Sequence, residues 1–172
     1  MFSHNAVIDD VLGRYASDLG AQYDAYRNHV LRAANYHVLL TGKPLDTDVA
    51  LAWAVHDLGV WTAGTVDYIA PSAALARELA PQFGIADASR AIALVEGHHA
   101  LLPFADPELE AFRKADLTDF SRGLVRNGLS RDQIATVSAE FPNAGFHRYL
   151  ARELTKYAVS HPLRPFPMVR LR

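Results

Sequence analysis

Cysteine is absent from all 172 residues of this sequence. Disulfide bonds and thiolate metal sites are therefore both excluded. Any metal site in this chain must be built from histidine and carboxylate side chains. Such ligands bind borderline or hard divalent ions.

Long apolar runs are missing as well. No segment approaches the roughly 18 apolar residues that a membrane-spanning helix needs, so we expect no membrane partner. Residues 1–5 also lack the basic region and apolar stretch that are typical of a signal peptide. We therefore expect a cytoplasmic protein.

An excess of charge of one sign is the third absence. The chain has 17 basic and 19 acidic residues and a net charge of −2, so we expect no nucleic-acid partner. Hydrophobic residues make up 50% and charged residues 21% of the chain, which is ordinary for a globular protein. The length predicts one domain that can bury a sizeable core.

Apolar residues recur at helical spacing along most of the chain, and no segment has the alternation of a strand. We predict an all-α single-domain bundle of about seven or eight helices over residues 1–172. The core should span about residues 21–126, with the C-terminal helices and Pro-rich tail, 127–172, packed on it. The predicted helices cover about 5–18, 21–41, 46–58, 71–80, 87–99, 108–125, 131–141 and 146–160. Asp46 or Thr47 would cap the third helix.

Two segments lack a helical pattern. Residues 60–70 are irregular and follow closely on the polar side chains His56 and Asp57. We therefore expect them to form the rim of a pocket. The tail from residue 161 contains Pro162, Pro165 and Pro167 and cannot be helical. Its arginines are too sparse for nucleic acid; they are Arg164, Arg170 and Arg172.

Ionisable side chains occupy the apolar faces of three predicted helices. They are His29, the neighbouring pair His56 and Asp57, and Asp116, which lies in the middle of an apolar stripe. One such residue alone is most often a hydrogen-bonded core residue. Four of them facing inward are costly to bury without partners. Neutral imidazoles and carboxylates are the ligands of a divalent cation, which would in turn neutralise the buried carboxylates.

Three segments carry a family resemblance. They are Tyr-Arg-Asn-His-Val-Leu-Arg at 26–32, Ala-Val-His-Asp-Leu-Gly at 54–59 and Arg-Lys-Ala-Asp-Leu-Thr-Asp at 113–119. This order resembles the HD-domain superfamily of metal-dependent phosphohydrolases over about residues 25–125. The resemblance implies that one divalent metal ion is bound by His29, His56, Asp57 and Asp116. It does not distinguish among Mn, Fe, Co, Ni, Zn and Mg, and it implies that Asp57 also touches the attacking water.

Further site residues follow with alternatives. His98 and His99 lie where many members of that family keep histidines; they would bind a second metal ion, donate to a phosphate or leaving group, or be solvated. Arg32, one turn from His29, would contact a phosphate, lie on the surface or pair with an acid. Asp119 would orient a ligand imidazole or a substrate group, or be a solvated or capping carboxylate.

Two departures from the family pattern argue for a single metal ion. The basic residue that the family commonly has just after the glycine is absent, because Gly59 is followed by Val60 and Trp61. Residues 69–74 contain no histidine. A second ion remains possible where His98 and His99 both contribute.

We therefore expect a metal-dependent hydrolase acting on a small phosphorylated compound such as a nucleotide, with Asp57, His98, His99 and Arg32 as catalytic residues. A first alternative is an HD-type hydratase or di-iron oxygenase on a small non-phosphate substrate, since Trp61 and Tyr68 are aromatic. A second alternative is a non-catalytic nucleotide-binding sensor. A homo-oligomer is compatible with the sequence.

Overall fold

The helical periodicity of the sequence is realised along the chain. The computed structural model describes residues 1–169, and within that range it contains helices and no strand. The α-helices are α1 Ala6–Arg14, α2 Ala16–Leu19, α3 Tyr23–Thr41, α4 Thr47–Val55, α5 Gly59–Thr62, α6 Ile69–Leu79, α7 Ser89–Gly97, α8 Pro107–Phe120, α9 Arg131–Glu140 and α10 Phe146–Ser160. The predicted all-α class is confirmed. No helix in the described range has the length and apolar character needed to cross a membrane.

Several helices begin at side chains that cap them. The Asp46 carboxylate accepts a hydrogen bond from the Val49 amide and starts α4, so Asp46 is the cap of the two predicted candidates. Asp106 caps α8 in the same way, directly before Pro107. Ser130 and Gln133 form a capping box at the start of α9. Each cap satisfies backbone amides that the helix itself cannot pair.

Helix α4 lies at the centre of the domain. All its residues from Val49 to Val55 are buried. The Trp53 ring stacks on the Phe112 ring at 3.7 Å between centroids and so joins α4 to α8. One hydrophobic core extends from Ile8 to Leu150, so it reaches beyond the predicted limits of 21–126 at both ends. The helical domain is single and compact, as predicted.

The structure corrects two helix boundaries. Residues 60–70 are not irregular throughout, because α5 ends at Thr62 and α6 begins at Ile69. Helix α8 ends at Phe120 rather than near residue 125, because Arg122 and Gly123 have φ angles of 54° and 78° and turn the chain away.

Residues 161–169 of the tail are not helical, as predicted, and Met168 packs them against the body. Its contacts form a small second cluster with Val60, Val66, Tyr68 and Ile69. Arg164 in the same tail lies 3.4 Å from the Asp67 carboxylate. Arg170 and Arg172 lie outside the described residues.

Gly59 lets α5 and α6 approach closely. Its amide donates a hydrogen bond of 3.0 Å to the Ser72 hydroxyl. A β-carbon at this position would lie 2.7 Å from the Tyr68 carbonyl oxygen and 2.9 Å from the Ser72 hydroxyl oxygen. Both distances are below van der Waals contact, and one partner is rigid backbone. The glycine is therefore required by packing directly behind the His56–Asp57 turn.

We expect Gly59→Ala to lower the free energy of unfolding by roughly 1–3 kcal/mol, because the added methyl group overpacks this contact. Gly13→Ala is the matched control, since a β-carbon at that position would have no neighbouring atom within 4 Å. In a helix that substitution should stabilise by up to about 1 kcal/mol. Denaturant unfolding of both variants measures the difference. Equal stability of the two variants would contradict the packing argument.

Candidate metal centre

The ends of α4 and α7 each orient a histidine side chain through a hydrogen bond to a backbone carbonyl of the last helical turn. His56 is the first residue after α4, and its Nδ1 lies 2.9 Å from the Trp53 carbonyl oxygen. His98 is the first residue after α7, and its Nδ1 lies 2.6 Å from the Val95 carbonyl oxygen. A carbonyl only accepts, so each Nδ1 carries a proton and each Nε2 is the atom turned toward the carboxylates. These bonds use carbonyls that a helix end leaves unpaired, and they fix the orientation of both rings.

His29 comes from the middle of α3 and is held from two sides. Its Nδ1 lies 2.7 Å from Asp119 Oδ2, and its ring stacks on Phe146 at 4.1 Å between centroids. Its Nε2 lies 2.9 Å from His56 Nε2. Burial lowers the pKa of His29, but hydrogen bonds to Asp119 and Asp57 outweigh this and raise the pKa to about 9. His29 is therefore protonated at neutral pH unless a metal ion displaces that proton.

Two buried carboxylates complete the first group of ligands. Asp57 Oδ2 lies 3.4 Å from His29 Nε2 and 3.6 Å from His56 Nε2. Asp116 Oδ1 lies 3.6 Å and 3.7 Å from the same two nitrogens. Burial raises the pKa of Asp116, but contacts with His56 and neighbouring imidazoles lower it to about 2. The four residues that the family resemblance implies as ligands thus lie side by side, and the ligand atoms of His29, His56 and Asp57 all lie within 4.8 Å of one another.

The other side of Asp57 faces a second group. Asp57 Oδ1 and His98 Nε2 lie 3.3 Å apart, and both are buried without a hydrogen-bond partner in the described structure. Leaving such atoms unpaired costs about 1–3 kcal/mol each. Ligand atoms of Asp57, His98 and His99 all lie within 4.8 Å of one another, as do those of His29, His56 and Asp57. Asp57 therefore belongs to two groups with the composition and spacing of metal ligands.

His99 connects the second group to Tyr68. The Tyr68 hydroxyl lies 2.7 Å from His99 Nε2, and His99 Nδ1 lies 3.8 Å from Asp116 Oδ2. Burial and the nearby His98 imidazole lower the pKa of His99 to about 4, so its ring is neutral. Both histidines of the pair point inward, and the solvated alternative for them is wrong.

Arg32 has a different partner from the predicted phosphate. Its Nε and Nη2 bind both oxygens of Asp119, and its Nη1 donates to the carbonyls of Phe141 and Pro142 at 2.8 Å and 3.2 Å. Arg32 does not line the apolar cavity that opens over His29, Asp57 and Asp116, so its position gives no support to the predicted catalytic contact. The alternative of a pair with an acid is confirmed. Asp119 orients the His29 imidazole, which is one of its predicted roles.

An apolar cavity of about 220 Å³ opens over the first group. No lysine or arginine lines it within residues 1–169. Its apolar and aromatic walls are Val66, Tyr68, Phe120, Phe146, Leu150, Leu154, Phe166, Met168 and Val169. Of the predicted rim, 60–70, only Val66 and Tyr68 reach it; Trp61 instead stacks on Tyr149.

The predicted site does not include the cavity residues that belong to α10 and the tail. For those of α10, a helical pattern in the sequence could have indicated them. Phe146, Leu150 and Leu154 recur every four residues and therefore share one face of α10. Residues of the tail give no periodic signal of this kind.

A second cavity, of about 270 Å³, touches the cluster from the side of His98 and His99. It contains one basic residue, Arg113. The Arg113 guanidinium binds both oxygens of Glu110 at 2.9 Å and 2.7 Å, so its charge is already balanced. Neither cavity brings an uncompensated basic side chain to the cluster within the described part of the chain.

Comparisons with known proteins give no family. No protein-family model, no curated protein and no solved structure matches this chain. The buried histidines and aspartates are consistent with an HD-type motif and have the spacing of a metal site. That statement rests on the geometry described above.

We expect His56→Ala and Asp116→Ala each to lose bound divalent metal, because each removes one of four convergent ligands. Metal should also raise the melting temperature of the natural protein and not of these variants, since binding favours the folded state. His4→Ala, whose side chain is 81% exposed, is the matched control. Elemental analysis and thermal unfolding measure both effects. Full metal content in either ligand variant would disprove the four-ligand site.

We expect Asp119→Asn to weaken metal binding by about 10- to 100-fold, because the carboxylate that orients His29 Nδ1 is lost. The amide keeps the shape of the side chain. Asp18→Asn, at an exposed position, is the control. Competition with a chromophoric chelator gives the affinity of each variant. An unchanged affinity would show that the Asp119 contact does not position His29 for metal.

Proposed function

We propose that this protein is a metal-dependent hydrolase acting on a small substrate with an apolar body. The observation that supports this most directly is the convergence of His29, His56, Asp57 and Asp116 beneath an apolar cavity. When bound there, a divalent ion would lower the pKa of a coordinated water and polarise the substrate bond.

The residues of the chain have separate tasks in this proposal. His29 and His56 supply neutral nitrogen ligands, whose orientation Asp119 and the Trp53 carbonyl maintain. Asp57 holds the ion and, from the same carboxylate, accepts a hydrogen bond from the attacking water. The Tyr68 hydroxyl lies at the cavity surface beside His99, where it can donate to the leaving group.

Charge balance relates the number of ions to the substrate. Asp57 and Asp116 carry two negative charges, which one divalent ion neutralises. The cavity adds no lysine or arginine in the described structure, so a phosphate dianion would find no excess positive charge with one ion. A second ion between Asp57, His98 and His99 would provide that charge.

The unpaired atoms of Asp57 and His98 favour occupancy of this second group. We therefore propose a phosphohydrolase as the leading form, with two ions and a phosphate ester whose remainder is apolar. The apolar walls make a nucleotide a poorer fit than the sequence predicts, because its base and ribose would bury polar groups without partners.

The second candidate is a hydratase or hydrolase for a small neutral compound. The lack of basic side chains around the cavity in the described structure favours it, and it requires only one ion. An oxygenase would use the same two groups of ligands loaded with iron and would consume oxygen. A nucleotide sensor lacks support from the cavity, for the same reason that a nucleotide is a poor substrate.

The test combines metal analysis with a substrate panel of 4-nitrophenyl phosphate, AMP and benzonitrile. We expect two ions per chain and faster hydrolysis of the aryl phosphate than of AMP. Asp57→Asn should abolish this activity, because Asp57 belongs to both groups, whereas Asp18→Asn should retain it. One ion per chain with turnover of the nitrile alone would select the second candidate. Full metal content without turnover or oxygen consumption would refute an enzyme acting on these classes.

A further inference from the structure

A third pocket, with a polar lining, lies beside Asp119. Its volume is about 290 Å³, and it shares no lining residue with the apolar cavity over the metal ligands. Arg32, Arg122 and Asp119 line it. The proposed hydrolysis uses none of this space, so its polar lining calls for a separate explanation.

The charge of this pocket is positive on balance. Both oxygens of Asp119 are engaged by Arg32 and His29. Arg122 follows the end of α8, where its backbone amide donates to the Asp119 carbonyl at 2.8 Å. The Arg122 side chain is exposed and lines the pocket, and within residues 1–169 its guanidinium has no protein partner that would neutralise its charge. Two arginines and one carboxylate thus line this pocket, and both oxygens of that carboxylate are already used.

Donor groups are also available in the pocket. A guanidinium has five N–H groups, and the contacts of Arg32 with Asp119, Phe141 and Pro142 use four of them. One N–H on Nη2 is therefore left, although the Arg32 side chain is only 4% exposed.

Neutral side chains add further donors at the pocket wall. The Tyr36 hydroxyl lies 3.1 Å from the Ser138 hydroxyl and 3.4 Å from the Ile134 carbonyl oxygen; when Tyr36 donates to Ser138, the hydrogen of the Ser138 hydroxyl is available to a ligand. His147 Nε2 donates to the Phe120 carbonyl at 3.0 Å, so its Nδ1 accepts from the Asn143 amide nitrogen. One N–H of that amide is then free. The ring of His147 is neutral in this arrangement, so it adds no charge to the pocket.

We propose that this pocket is a second binding site, which takes a phosphate group, either free or on a small phosphorylated molecule. Guanidinium groups form short, charge-assisted hydrogen bonds to phosphate oxygens, and two of them can share one phosphate. The hydroxyl of Ser138 and the amide of Asn143 supply neutral donors to the remaining oxygens. The bound phosphate contacts Arg32, which holds Asp119 and through it His29.

The experiment titrates inorganic phosphate and, separately, glucose 6-phosphate into the metal-loaded protein by calorimetry. Arg122→Gly is the test variant, because Arg122 has a positive φ angle that glycine adopts without strain. Arg126→Ala, an exposed arginine of the same loop, is the matched control. Ser138→Ala is a second variant that keeps both arginines.

We expect Arg122→Gly to weaken phosphate binding about tenfold or more, as befits a lost charge-assisted contact, with unchanged metal content. Ser138→Ala should weaken it less, and Arg126→Ala should not change it. Tighter binding of glucose 6-phosphate than of phosphate would identify the ester as the ligand, and the reverse would identify the free ion. Phosphate binding that survives Arg122→Gly and vanishes in Asp116→Ala would place phosphate at the metal cluster and overturn the proposal. The absence of binding at millimolar phosphate would overturn it as well.

Discussion

Buried negative charge is the constraint on which the rest of this structure depends. Asp57, Asp116 and Asp119 are each 3% exposed, inside a domain whose core is otherwise largely apolar. An ionised carboxylate in such surroundings is tolerated only where it is paired. Asp119 has its counter-charges in Arg32 and His29. Asp57 and Asp116 face imidazoles, which makes a divalent cation the natural partner of this pair.

The imidazoles are preorganised by groups that have no direct contact with a metal ion. Two helix-end carbonyls and one carboxylate hold the Nδ1 atoms of His56, His98 and His29. Packing then holds the helices themselves, through the stacked rings of Trp53 and Phe112 and the close approach at Gly59. The positions of these side chains are thus set by the fold itself, so binding of an ion there would spend little free energy on ordering them.

The sequence predicts the fold class well, and it predicts that His29, His56, Asp57 and Asp116 face the interior, because both depend largely on local periodicity. His29, His56 and Asp116 stand at helical spacing within apolar faces, and that pattern survives folding. The sequence does not predict the four-residue helix at 59–62, because a single helical turn is too short for apolar residues to repeat at helical spacing. It does not predict the partner of Arg32 either, because Asp119 is 87 positions away and sequence spacing gives no information about such a contact.

The composition of the cavity wall also cannot be predicted from sequence patterns alone. It depends on how α10 and the tail dock onto the bundle, which is a matter of tertiary packing. The apolar face of α10 is visible in the sequence, but its position over the ligands is not. The tail residues that close the cavity have no regular pattern at all.

The origin of the cavity wall has a consequence for how this protein can change. The ligands come from α3, from the turns after α4 and α7, and from α8, whereas most of the wall comes from α10 and the tail. In the proposed function, the metal ligands and the shape of the substrate cavity would therefore be encoded in different stretches of one chain. Substitutions in the last quarter can reshape the cavity and leave the ligand set intact. Phe146 is the exception, because it both lines the cavity and stacks on the His29 ring; at that one position, a substitution that reshapes the cavity would also disturb the candidate metal centre.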